Sequence, residues 1–124
     1  MTGAEFRAAS ESLGLSTIWL ARRFQVADRT VRAWAQGTRA VPASVSEVVA
    51  GLRDVADSMA DAMLDDIVGC GLTVATFSGT DQLDPDWRTD NPIGLPDSFH
   101  RIACEIARLE AAEDGQIVTI VYQT

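Results

Sequence analysis

The sequence predicts a mainly α-helical chain with a small α/β appendage. Three observations carry that expectation. Residues 15–42 hold two short helical patterns on either side of a tight turn. Residues 44–68 hold a long run in which apolar side chains recur every three or four positions. Residues 72–77 and 116–123 are rich in β-branched residues and flank a further helical pattern. At 124 residues the chain suits one domain, or one small domain with an appendage, and can bury a real core.

Residues 2–13 read as the first helix. Thr2 is its cap, and Glu5 three residues later completes a capping box. Phe6, Ala9 and Leu13 form its inner stripe. Ser16 and Thr17 open a second helix, with Ile18, Leu20, Ala21 and Phe24 as its apolar positions. Trp19 lies outside those positions and is expected to pack on the long helix. In the turn Gln25-Val26-Ala27, Gln25 has to tolerate a positive φ at modest cost. Asp28–Gln36 is the third helix, stopped by Gly37, with Val31 and Trp34 as its buried pair. Asp28 takes over part of the capping role that Ala27 cannot fill. Thr38–Pro42 is a linker.

In the long helix the predicted stripe is Val45, Val48, Leu52, Val55, Met59 and Ala62, continued by Ile67, and Gly69-Cys70-Gly71 ends it. Leu72–Phe77 is a strand, and residues 78–95 are a long loop rich in Gly, Asp, Pro and Asn. Pro96-Asp97 opens a helix whose apolar face is Phe99, Ile102, Ala103, Ile106 and Leu109, ended by Glu113-Asp114-Gly115. Gln116–Gln123 is the last strand. A strand–helix–strand crossover makes its two strands parallel. The division expected is 1–68, a four/five-helix domain ending in the long helix, and 69–124, a β-α-β unit. Two strands and one helix leave exposed edges, which a second copy would cover. Val74, Phe77, Ile117, Ile120 and Tyr122 are the residues expected at that homodimer interface.

The net charge of −8 is unevenly placed. Residues 1–42 carry six arginines against Glu5, Glu11 and Asp28, a net +3, while residues 43–124 carry four arginines against fifteen acids, a net −11. Only the N-terminal third can meet a polyanion comfortably, and the acidic remainder should point away from one. No apolar run reaches the ~18 residues of a membrane span, and no export signal is visible at the N-terminus, so a cytoplasmic protein is expected. Cys70 and Cys104 lack metal-type spacing and read as free thiols.

Helix, turn and second helix in residues 15–42 make a helix-turn-helix. The motif resembles the lambda-repressor-like (XRE) family of helix-turn-helix regulators. The matching residues are Leu15-Ser16, Leu20-Ala21, Val26 in the turn, Arg29-Thr30-Val31, Trp34, Gly37 and Pro42. Ala21 allows the two helices to cross closely, and Val26 plugs the turn into the core. Gln25 departs from the family, which commonly has Gly there, and so does Ala27, where Ser or Thr is usual. The whole layout also resembles the anti-CRISPR-associated regulators of phages, on element order, Phe77 ending the first strand, and Asp90-Asn91-Pro92 with Ile93-Gly94 before the last helix. That resemblance implies a dimeric autorepressor that dimerises through its C-terminal module.

On this reading Arg29, Thr30, Arg32, Ala33 and Gln36 are the candidate base contacts. Arg29 leads, because a forked guanidinium takes O6 and N7 of guanine together. Ser16 and Thr17, at a helix N-terminus, and Arg39, in the linker, are the candidate phosphate contacts. The expected partner is a double-stranded operator bound by a homodimer, with no cofactor and no small-molecule effector. The alternative is a protein-interaction module, of antitoxin or anti-repressor type, whose acidic half binds a partner protein.

Other residues carry blander readings. Asp54, Asp57, Asp61 and Asp65 share a helix face and read as solvated. Asp81, Asp84, Asp86 and Asp90 lack the Gly and Glu of a calcium loop, so no metal site is expected. His100 and Cys104 share a face at i and i+4, which suits a nucleophile–base pair, but no oxyanion-hole motif or orienting group accompanies them. A structural pair and no enzymatic activity are expected.

Overall fold

The computed structural model describes residues 1–70, 73–79 and 94–123. Its elements, in order, are α1 (Gly3–Ser12), α2 (Thr17–Phe24), α3 (Asp28–Gln36), α4 (Ala43–Cys70), β1 (Thr73–Thr76), α5 (Asp97–Glu113) and β2 (Thr119–Tyr122). The mainly helical class with a small α/β part is as expected. Of the predicted 78–95 loop, residues 80–93 lie outside the described residues.

Local signals explain where the helices begin and end. Thr2 and Glu5 exchange both hydrogen bonds of a capping box at the start of α1. Gln25 ends α2 at φ 54°, the left-handed conformation expected of it. Gly37 ends α3 in the same region, at φ 79°.

One core runs through both halves of the chain. Phe6, Leu13 and Leu15 meet Trp19, Leu20 and Ala21 of α2, Val31 and Trp34 of α3, and Val45, Val49, Leu52 and Ala56 of α4. Phe77, Leu95 and Phe99 complete the same cluster, so packing is continuous across the division expected at 68/69. A smaller cluster of Val74, Cys104, Ala111 and Val118 lies between the sheet and α5, with Met63 and Leu64 of α4 against it.

Several expected core positions are displaced by about one residue. Ile18 is 44% exposed, and Trp19 takes its place in the core. The buried stripe of α4 runs through Val45, Val49, Leu52, Ala56 and Ala60, whereas Val55 and Ala62 are exposed. In α5 Phe99 and Ala103 are buried as expected, but Leu109 is exposed, and Cys104, Ala107 and Ala111 are buried where the expected face did not place them. The cause is common to both helices. Methyl side chains let α4 and α5 approach closely, and close approach removes more surface from water than a bulkier seam that holds the helices apart.

β1 and β2 pair in parallel, with Val74 opposite Ile120 and Thr76 opposite Tyr122. The Gln123 N–H continues the ladder to the Thr76 carbonyl at 2.7 Å. Arg101 of α5 donates to the Phe77 carbonyl at 2.7 Å and to that of Gly79, which ties the end of β1 to the helix.

Candidate nucleic-acid interface

α3 is held by one face and open on the other. Val31 and Trp34 are almost fully buried. Trp34 makes edge-to-face contacts with Phe6 at 5.9 Å and Phe24 at 6.3 Å between ring centroids. Arg29, Arg32 and Gln36, at i, i+3 and i+7, are exposed together, and Ala33 and Thr30 are half-buried along one side of that row. No side chain caps α3, whose N-cap is Ala27. Asp28 stands in its first turn, where the helix dipole favours a negative charge.

The linker folds back onto this helix. The N–H groups of Thr38 and Arg39 and the Thr38 hydroxyl all donate to the Ala33 carbonyl, at 3.1, 3.3 and 3.3 Å. Arg39 is thereby placed beside the C-terminal end of α3 with its side chain exposed. The start of α1 closes on the same end. A Cβ at Gly3 would lie 2.4 Å from the Trp34 carbonyl oxygen, so only glycine fits there.

At the start of α2, Ser16 accepts from the Trp19 N–H at 3.0 Å. Its hydroxyl is therefore a cap first, and Thr17 faces a cleft of about 280 Å³ between α1, α2 and α3. Arg32 and Gln36 line that cleft from α3, and Arg7, Ser10 and Glu11 line it from α1. Arg7 and Ser10 were not among the candidate residues. An i+4 pairing with Glu11 at 2.9 Å makes Arg7 look like an ordinary solvated ion pair, and only the folded chain puts it opposite Arg32.

Charge is segregated by element. Acidic groups gather where α4 and α5 face each other: Glu110 has its carboxyl pushed up, first by desolvation and then by Asp61, Asp57 and Glu113. Asp57 is also paired with Arg53 at 3.1 Å.

The residues expected at a dimer interface divide in two. Val74 and Phe77 are buried within the chain itself. Ile120 is half-buried, whereas Ile117 and Tyr122 are exposed together with Val121, which was not among them.

His100 and Cys104 do come together, with Nδ1 3.7 Å from Sγ. His100 Nδ1 also lies 2.7 Å from the Thr76 hydroxyl, and its ring packs against Phe77 at 4.9 Å. Burial pushes the imidazole down to about 4 and the thiol up to about 11. Near pH 7 both groups are neutral, the opposite of an activated thiolate–imidazolium pair.

No helix among the described residues is long and apolar enough to cross a membrane. No protein-family model matches the chain, and no curated protein matches it either.

Proposed function

We propose that this chain is a sequence-specific DNA-binding regulator, a homodimeric and autoregulatory repressor of the lambda-repressor-like helix-turn-helix type, acting in the cytoplasm by binding and not by catalysis. The observation that carries the reading is the two-sided character of α3. Its inner face is anchored by Val31 and Trp34, and its outer face presents Arg29, Arg32 and Gln36. A short, rigidly seated helix with arginines on its free side is the shape and charge that a major groove accepts.

In this reading Arg29 reads a base edge, with Thr30, Arg32, Ala33 and Gln36 beside it. Thr17 and Arg39 hold phosphates on either side, and Ser16 orients the first turn of α2. The second copy joins through exposed Val121 and Tyr122 of β2 and Ile117 just before it. Two recognition helices about 34–36 Å apart would then meet an inverted repeat.

Selection from random duplexes tests this, followed by titration of the winner against a scrambled duplex at two salt concentrations. Enrichment of an inverted repeat with a specificity ratio of at least ~10³ is the expected result. Absence of enrichment, with weak binding that salt abolishes equally for both duplexes, would overturn it and turn attention to a protein partner of the acidic half.

A further inference from the structure

Soft donor atoms converge where α4, α5 and β1 meet. Cys104 Sγ lies 3.8 Å from Met63 Sδ of α4 and 3.7 Å from His100 Nδ1, one turn earlier on α5. Metal bonds of ~2.0–2.3 Å to sulfur and imidazole nitrogen, at trigonal to tetrahedral angles, put neighbouring donors ~3.5–4.0 Å apart. Both separations from Cys104 fall in that range. Met63 is unbranched and turns freely about its side-chain bonds, so its thioether can swing onto an ion seated between the other two. Among the described residues no three His, Cys, Asp or Glu side chains form such a group, and the third donor here is a thioether.

Donor type and charge select the ion. Thiolate, thioether and imidazole together suit copper, whereas structural zinc takes four ligands and draws them from Cys, His and carboxylates. Cu(I) forms its bond to Sγ as the thiol proton leaves to solvent, with no change of oxidation state. Cation and thiolate then cancel, and the cluster stays neutral beside Val74, Ala111 and Val118. A divalent ion would leave a net positive charge there, which burial penalises. The Thr76 hydroxyl, 2.7 Å from Nδ1, also bonds to the Cys104 thiol. With Nδ1 on the metal, that hydroxyl turns to the sulfur and supports the thiolate from behind. Met63 and His100 are half-buried and Cys104 is fully buried, so an arriving ion meets the first two residues before the thiol closes on it.

We propose that Met63, His100 and Cys104 form a binding site for one Cu(I) ion. The ion pins α4 to α5 beside the end of β1. The site does not depend on the DNA-binding reading.

Anaerobic titration of the full chain with Cu(I), against a chromogenic Cu(I) chelator, tests the site. One equivalent should be withheld from the chelator, with a thiolate-to-copper absorption band in the ultraviolet and a shift of the His100 Nδ1 nitrogen resonance. Cys104→Ser should abolish the band, and Met63→Leu and His100→Gln should each weaken binding by roughly tenfold or more. Met63→Leu nearly keeps side-chain volume, so its far-UV circular dichroism should match wild type and its loss of affinity is that of a ligand. Cys70→Ser should bind like wild type, and Zn(II) should bind more weakly than Cu(I). Failure to compete with the chelator overturns the site. So does binding that survives Met63→Leu or Cys104→Ser at full strength, or that Cys70→Ser abolishes. Zn(II) bound as tightly as Cu(I) overturns the assignment of the ion.

Discussion

The indole N–H of Trp19 donates to the carbonyl oxygen of Gly94, 3.0 Å away and 75 positions along the chain. Nearby, the Ser98 hydroxyl donates to the carbonyl of Gly14, in the turn between α1 and α2. α2 and the turn before it are therefore bonded directly to the start of α5 and the residues just ahead of it. The attitude of α3 depends on residues that follow the long helix, and the two halves should unfold together.

Trp19 tests that coupling. Trp19→Phe removes the donor and should cost about 1–3 kcal/mol, while Trp19→Ala should cost about 3–5 kcal/mol by opening a cavity as well. Urea denaturation followed by far-UV circular dichroism and by tryptophan fluorescence should give one coincident transition in wild type. Two separated transitions would show that the halves are independent.

Gly14 and Gly37 form a contrasting pair. Both have positive φ, 68° and 79°. A Cβ at Gly14 would also lie 2.8 Å from the Ser98 carbonyl oxygen, whereas one at Gly37 meets nothing within 4 Å. Gly37→Ala should cost about 1–2 kcal/mol of backbone strain alone. Gly14→Ala should cost clearly more, because backbone has to move. Equal losses in chemical denaturation would mean that the contact with α5 is not tight.

Gln25 holds a left-handed conformation without being glycine, at φ 54°. It is exposed, so Gln25→Gly should relieve strain without loss of packing and stabilise the chain by about 0.5–1 kcal/mol. A thermal melt that rises by a few degrees is expected, and a fall would show that the side chain contributes more than the strain costs.

His100 makes stability depend on pH. Burial lowers its imidazole from 6.5 to about 4, so between those values the unfolded chain binds the proton and the folded chain does not. Stability should therefore fall as pH drops from about 6.5 towards 4, and the contribution should level off below that. NMR titration of the His100 ring should give a midpoint near 4 in the folded protein, and a midpoint near 6.5 would remove this source of acid sensitivity.

Arg29 and Arg39 should differ in kind. Arg29→Ala is expected to cost about 1–3 kcal/mol on the selected operator and to relax specificity at one base pair. Arg39→Ala should weaken selected and scrambled duplexes alike and reduce the salt slope by about one. Unchanged operator binding by Arg29→Ala would mean that a different face of α3 enters the groove.

The order of elements was determined by local chemistry, and local chemistry is written in the sequence. Thr2 with Glu5, the Gln25 turn, Gly37 and Pro96-Asp97 each act within a few residues, and the helix boundaries follow them. The anchoring of α3 by Val31 and Trp34 was legible for the same reason, because helical periodicity assigns both to one face. Which apolar residues are buried was decided only when helices met. Trp19 displaced Ile18 because its ring reaches both the core and the Gly94 carbonyl, and alanines line the α4–α5 seam because proximity outweighs side-chain size there. The cleft that joins Arg7, Ser10, Thr17 and Arg32 belongs to three separate helices, so no spacing along the chain could announce it.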